Sequence, residues 1–341
     1  MQPRISILVP AYNAERWLAD TLRSARAQTW PRKEIIVVDD GSTDQTLSVA
    51  RQFASREISV VSQSNAGAAA ARNNAFSLCQ GDYIQWLDAD DLLAPDKIAK
   101  QIEALERRAG SRTLLSSTWG SFGYRVSHAE FRPTALWCDL SPAEWLLRKL
   151  AQSSYLMNAC WLVSRELSNA AGPWDTRLSL DDDGEYFCRV VFASDGVRFV
   201  PEAKAYYRRA SFGSLSNVGR SGRKLESQLL SSRLQIKYLR ALENSERTRA
   251  AGVNELQQLL IYFHPERPDL VEQMDQLAAE LGGRLERPCL RWIYAWLQKM
   301  FGWRVARRAQ FLFPMLKHSL LRSWDKALYR LERRRPAVDH K

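Results

Sequence analysis

Apolar residues in the first ninety positions come in short unbroken runs: ISILV at 5–9, EIIVVDD at 34–40, ISVVSQ at 58–63 and DYIQWLDA at 82–89. Runs of this length without polar alternation predict strands buried on both faces, as in a parallel sheet. Between them the spacing switches to the helical period. AERWLADTLRSARAQ places Trp17, Leu18, Leu22 and Ala25 on one face, and DQTLSVARQFAS and AGAAAARNNAFSLC fill the next two intervals. This βαβαβαβ order predicts an α/β fold, an open, mostly parallel sheet with helices on both faces. Such sheets bind ligands outside the carboxyl ends of their strands.

From about Leu114 the regularity loosens. LLSSTWGSFGYRV reads as strand and PAEWLLRKLAQ as helix, and a mixed region runs on to about Ser216, read as the second half of the same domain. KLESQLLSSRLQIKYLRAL at 224–242 is a strongly periodic helix, and NELQQLLIYF and DLVEQMDQLAAEL continue the pattern. The expected organisation is an α/β domain over 1–220, a helical region over 221–283 and a helical tail over 284–341.

The polar residues at the strand ends carry the chemistry. PAYNAE (10–15), DDGSTD (39–44) and DADD (88–91) follow the first, second and fourth strands, so a parallel sheet brings them to one edge. No GxGxxG follows the first strand and no GxxxxGK[ST] occurs, which excludes the dinucleotide fingerprint and the P-loop. Asp88, Asp90 and Asp91 repel one another unless water, a helix start or a cation offsets them. DDGSTD alone reads as a turn and helix cap. DADD alone reads as an acidic helix start at DLLAPD, with Asp91 as cap, or as a metal site. Their joint order on one edge favours a hard divalent cation that bridges diphosphate oxygens.

Charge and composition narrow the partners. The net charge of +11 lies in the tail, where residues 284–341 carry fifteen Lys/Arg against four Asp/Glu, leaving 34 against 34 before it. Trp292, Trp296, Trp303 and Trp324 stand among these basic residues, and Leu290, Ile293, Leu297 and Phe301 recur at helical spacing. Such a segment either lies on an anionic membrane surface or packs on the body with its basic face solvated. It has no apolar run long enough to span a bilayer, and no nucleic-acid recognition motif is present. The five cysteines are scattered without a C-x-x-C pair, which fits a reducing cytoplasm. The apolar run before Pro10 is too short for a signal-peptide core.

ISILVPAYNAERWLADTLRSARAQTW, EIIVVDDGSTDQT, NAGAAAARNNA and GDYIQWLDADDLLAPDKI together resemble the nucleotide-sugar-binding half of the family 2 glycosyltransferases, which have the GT-A fold. The similarity is dense over residues 4–105 and looser to Ser216. It implies a nucleotide-sugar half over 1–105 and an acceptor half over 106–220. In that pattern Pro10, Tyr12 and Asp40 hold the base, Asp88 lies near the ribose, and Asp90 ligates Mn²⁺ or Mg²⁺ at the diphosphate. Asn65 and Arg72 match the family's N-x-G…A-R-N stretch, with Arg72 on ribose or phosphate; the plain alternative is a solvated arginine on an alanine-rich helix.

LSLDDDGEYFCRVV resembles the family's E-D-x-[DE] pattern, which places the general base at Asp183. Asp182 stands where glutamate is common and Asp181 precedes it, so the register between Asp182 and Asp183 stays open. Arg208, Arg209 and a loop at Ser214 and Ser216 are expected to close over the diphosphate, and His128 to be solvated or structural. The resemblance implies a metal-dependent, inverting glycosyltransferase. It would move a sugar from a nucleotide-sugar donor, a UDP-sugar first, to a saccharide or lipid-linked acceptor in surface polysaccharide assembly. Its place would be the cytoplasm, peripheral on the inner face of the plasma membrane. The rival readings are a sugar-phosphate nucleotidyltransferase and a non-catalytic nucleotide-sugar-binding module.

Overall fold

A computed structural model describes residues 2–106, 112–209 and 222–288, then 294, 296–303, 305–310, 325, 326 and 328. The expected alternation holds at the start: β1 (Ile5–Ala11), α1 (Leu18–Arg26), β2 (Lys33–Asp39), α2 (Thr46–Gln52), β3 (Ile58–Ser62), α3 (Ala68–Leu78) and β4 (Tyr83–Trp86). Then come β5 (Leu92–Leu93), α4 (Lys97–Glu106), β6 (Thr113–Phe122), β7 (Glu130–Phe131), α5 (Pro142–Gln152), β8 (Val163–Ser164), α6 (Arg165–Ala171), α7 (Asp182–Ala193) and β9 (Gly196–Arg208). Helices α8 (Gly222–Leu242), α9 (Glu246–Phe263) and α10 (Pro268–Glu280) follow.

The first sheet has the order β3-β2-β1-β4-β8, parallel except for β8, which runs against β4. Its register sets the site. Ala11 lies opposite Asp39, and Leu8 opposite Trp86, so the chain leaves β1, β2 and β4 along one edge. Isoleucine, leucine and valine of β1 and β2 are fully buried, which explains their unalternated pattern. Helix α1 buries Leu18, Thr21, Leu22 and Ala25, close to the expected stripe.

The segment DLLAPD does not begin a helix. Leu92 and Leu93 form β5, antiparallel to Tyr206 and Ala205 of β9, and helix α4 starts only at Lys97. Pro95 holds Ala94 away from the helical region, and the Ala94 N–H donates to the Lys204 carbonyl. The DADD carboxylates therefore lie on a turn between two strands, without a helix N-terminus to offset their charge.

The second sheet, β5-β9-β6-β7, pairs β6 with β9 in parallel and breaks register between Ser117 and Thr118. Its strand β9 delivers Arg208 beneath the DADD turn. Helices α8 to α10 share one continuous apolar core with the sheet, from Ile5 to Leu281.

In the basic tail, Tyr294 and Ala306 are buried with Leu297 and Trp303 against Ile261 of α9, and Arg307 pairs with Glu266. Asp325 accepts from the Tyr124 N–H at 2.7 Å and from Arg125 Nε at 2.7 Å. Trp296, Met300, Phe301 and Val305 remain exposed, whereas Leu290, Ile293, Trp292 and Trp324 lie outside the described residues. No helix among the described residues is long and apolar enough to cross a membrane.

Candidate active site

The loops after β1 and β2 are tied to each other before they meet anything else. Asn13, at φ 49°, accepts the Thr43 N–H at 2.9 Å, and its own N–H donates to Ser42 Oγ at 3.0 Å. Thr46 Oγ1 accepts from the Ala14 N–H at 2.7 Å. This fixed rim presents Tyr12, 51% exposed, beside the half-buried Pro10. Both stand where a base could pack.

Asp40 is buried and turned toward the loop after β3. Its carboxylate accepts from Gln63 Nε2 at 2.7 Å, from the Ala66 N–H at 2.9 Å and from the Gly67 N–H at 2.9 Å. Asn65 Nδ2 donates to the Asp40 carbonyl at 3.0 Å. Gly41 sits at φ +68°, where a Cβ would meet the Asn65 nitrogen at 2.7 Å, so only glycine lets the two loops close. Asp40 and Asn65 thus organise the 63–67 loop, a task beyond the base contact expected of Asp40.

Arg72 is buried, contrary to the solvated alternative. Nη2 donates to Asp88 Oδ1 at 2.9 Å and Nη1 to Asp182 Oδ2 at 2.6 Å, while the guanidinium lies 4.4 Å over the Trp174 ring. Asn73 holds Trp174 in place by a reciprocal pair of hydrogen bonds at 2.9 and 2.8 Å. Arg72 therefore pairs with two acidic groups, Asp88 and Asp182, that lie 94 positions apart in the sequence. Asp88 also accepts from Asn158 Nδ2 at 2.9 and 3.1 Å, and Asn158 is fully buried.

Around the DADD turn, Asp91 is buried and accepts the Arg208 N–H at 2.9 Å. Burial, then the charges of Asp90 and Asp88, push its carboxyl well above the usual range. Arg208 is buried as well. Its Nε donates to the Asp90 carbonyl at 2.8 Å, and its guanidinium lies 4.2 Å from the Trp17 ring and 4.6 Å from that of Phe122. It supports the turn from beneath instead of closing over it. Arg209 reaches Glu130 at 3.3 Å, His128 is exposed in a short turn, and Ser214 and Ser216 lie outside the described residues.

The second acidic run divides its work among three residues. Asp181, at φ 58°, accepts from Ser231 Oγ at 2.7 Å and Gln235 Nε2 at 2.7 Å, tying the start of α7 to α8. A Cβ on Gly184 would stand 2.1 Å from Asp181 Oδ1, so glycine makes that link possible. Asp182 pairs with Arg72. Asp183 accepts from the Tyr155 hydroxyl at 2.9 Å, and burial together with Asp182 and Asp181 raises its carboxyl from 3.8 to about 7. The Tyr155 ring meets Trp119 edge-on at 6.2 Å, and Tyr207 flanks the same indole at 6.1 Å.

Sequence reasoning missed Tyr155, Asn158 and Trp174. A polar asparagine inside the apolar stretch YLMNACWLV was the one available signal. For a metal, the half-buried Asp88 and Asp90 are the fitting oxygen donors. Among the described residues no three carboxylate, histidine or cysteine side chains gather to hold an ion alone. An ion there would complete its shell from diphosphate oxygens and water, as Mg²⁺ commonly does.

Residues 6–167 match the family model described as Glycosyl transferase family 2. TuaG of Bacillus subtilis, provisionally named as a teichuronic acid biosynthesis glycosyltransferase, is 40% identical over 111 residues, 32% of this chain and 44% of its own. Escherichia coli chondroitin synthase is 40% identical over 98 residues, 28% of this chain and 14% of its own. The chain thus spans less than half the length of these curated relatives. Among solved structures, S. aureus TarS 1–349 in complex with UDP gives a TM-score of 0.62 at 17% identity, over 90% of each chain. Mannosyltransferase PcManGT from Pyrobaculum calidifontis, in complex with GDP-Man and Mn²⁺, gives 0.50 at 18% identity, over 92% of this chain and 88% of its own. At such identities the likeness is one of fold, and the fold is GT-A.

Proposed function

Residues 6–167 form a family 2 glycosyltransferase domain, and from that premise we propose that the chain transfers a sugar from a nucleotide-sugar donor to a saccharide or lipid-linked acceptor. Inversion at the sugar carbon, a UDP-sugar donor and a role in surface polysaccharide assembly complete the reading. The observation that carries it is the buried Arg72, which draws Asp88 and the Asp182–Asp183 pair to one crevice.

In this reading Tyr12 and Pro10 pack on the base. Asp40 and Asn65 fix the loop that borders it, and Asp40 meets the base with its remaining acceptor capacity. Asp88 and Arg72 face the ribose and phosphate side. Asp90, with Asp88 beside it, would hold Mn²⁺ or Mg²⁺, which when bound supplies positive charge to the departing diphosphate. The acceptor hydroxyl gives its proton to the Asp183 carboxylate as its oxygen bonds to the anomeric carbon. The bond from that carbon to the diphosphate oxygen breaks, and the nucleoside diphosphate leaves.

Asp183 suits the base better than Asp182. Its carboxyl, raised to about 7, can take a proton near neutrality, whereas Asp182 is engaged by Arg72. One base and no covalent intermediate give inversion. Residues 1–220 make up the catalytic unit, with 221–283 and 284–341 supporting it, and the tail brings the enzyme to the cytoplasmic face of an anionic membrane.

The test is a panel of UDP-sugars and GDP-mannose with Mn²⁺, Mg²⁺ or chelator, read as nucleoside diphosphate release and glycosylated product. Asp90→Ala should lose metal-dependent turnover while staying folded, and Asp183→Asn should slow transfer by about 10²-fold or more. Pyrophosphate release from a nucleoside triphosphate and a sugar phosphate would replace this reading with nucleotidyl transfer. Donor binding without turnover would make the chain a binding module. A severe Asp182→Asn beside a near-normal Asp183→Asn would move the base by one residue.

A further inference from the structure

Arg233, Lys237 and Arg240 stand at i, i+4 and i+7 of α8 and so share one face of that helix. They line a cleft of about 550 Å³ between α8 and α10, opposite the face on which Ser231 and Gln235 hold Asp181. The carboxamides of Asn244, Gln273 and Gln276 line the same cleft, and Ile236 and Leu277 are its buried apolar residues. Glu280 is its one acidic member.

Two features make this more than a solvated basic face. Residues 1–283 are balanced at 34 cations and 34 anions, so a cluster of three cations in the body is a local excess. Among the described residues, no carboxylate pairs with Arg233, Lys237 or Arg240. On neighbouring helices, by contrast, Arg247 pairs with Glu144 and Glu243, and Arg267 with Glu226 and Asp269.

We propose that the α8–α10 cleft binds a phosphate-bearing ligand at a site separate from the donor crevice. A phosphate offers several anionic oxygens to three convergent cations, and the guanidinium fork of Arg240 suits two of them. The carboxamides provide hydrogen bonds for ester or hydroxyl oxygens, and the cavity has the size of a small-molecule site. The same chemistry could come from free phosphate or from a phosphodiester within a larger molecule.

Calorimetry on the full chain, with inorganic phosphate and with glycerophosphoglycerol at constant ionic strength against chloride, tests this. Saturable phosphate binding is expected, weakened at least tenfold by Lys237→Gln with Arg240→Gln and unchanged in Arg247→Gln. UDP binding should be the same in all of these proteins. Arg240→Lys keeps the charge but removes the planar guanidinium fork, and should weaken phosphate several-fold. Tighter binding of glycerophosphoglycerol identifies a phosphodiester as the source, and tighter binding of inorganic phosphate identifies the free ion. Heats no different from chloride, or equal binding by wild type and the Lys237 and Arg240 variants, would overturn the proposal.

Discussion

Asp183→Asn should leave the protein more stable at neutral pH while slowing its turnover by about 10²-fold or more. In the fold the Asp183 carboxyl is raised from 3.8 to about 7, by burial first and then by Asp182 and Asp181. Between about pH 4 and pH 7 the folded chain therefore keeps a proton that the unfolded chain has released. Stability falls as pH rises through that window, and above it the full penalty of the charged carboxylate is present. At 1.36 kcal/mol per unit, the rise from 3.8 to about 7 amounts to about 4 kcal/mol. Asp183 is partly solvated, and screening roughly halves this, to about 2 kcal/mol.

Asparagine carries no charge at any pH and can still accept from Tyr155. Urea unfolding of wild type and variant at pH 4 and pH 8 reads the difference directly. The variant should gain about 2 kcal/mol at pH 8, and the gap should close toward pH 4. Wild-type kcat/KM should drop about tenfold per unit below pH 7, because the base works deprotonated. Asp182→Asn removes the strongest like charge and should shift that midpoint to lower pH. A gap equal at both pH values, or a variant less stable at pH 8, would refute the argument.

Arg72→Gln leaves two partly buried carboxylates without their partner and should cost about 3–5 kcal/mol in urea unfolding; a loss under about 1 kcal/mol would mean the bridge is incidental. Gly184→Ala would ordinarily favour a helix, yet here should destabilise by about 2 kcal/mol because its Cβ displaces the Asp181 carboxylate from Ser231 and Gln235; stability equal to wild type would contradict the crowding. Full-length protein should sediment with anionic vesicles in a salt-sensitive way, and a chain truncated after Gly283 should not, because Trp296, Met300, Phe301 and Val305 are then lost together with the basic excess. Equal sedimentation of both would place the contact elsewhere.

What the sequence made legible was what depends on local spacing. Strands β1 to β4 and helices α5, α8 and α10 follow from runs and periods, because burial on one or two faces dictates those patterns. DLLAPD misleads because its acidic start and later helix are genuine signals, while the intervening two-residue strand is defined only by pairing with β9, more than a hundred residues away. Long-range partners hide the rest. Nothing near Arg72 in the sequence announces Asp182 or Trp174, and nothing in YLMNACW announces that Tyr155 will meet Asp183 and Asn158 will meet Asp88. Lys97 is the sharpest instance. A lysine in a helix is ordinarily solvated, yet this one is fully buried, with Nζ on the Gln85 side chain and the Trp161 carbonyl, and burial lowers it to about 7.

The crowding of carboxylates at the crevice resolves through the distribution of cations. Two arginines serve the crevice: Arg208 supports the DADD turn through the Asp90 carbonyl and the Asp91 carboxylate, and Arg72 neutralises Asp88 and Asp182. Neither side chain pairs with the Asp183 carboxylate, which accepts a neutral hydroxyl from Tyr155 instead. A neutral donor orients the carboxylate without the strong depression an arginine would impose, so its basicity survives. If an arginine took the place of Tyr155, Asp183 would fall toward the ordinary carboxylate range and become a poorer proton acceptor. On the proposed reading, the residues that Arg72 holds position the crevice, and the one it leaves to Tyr155 performs the proton transfer.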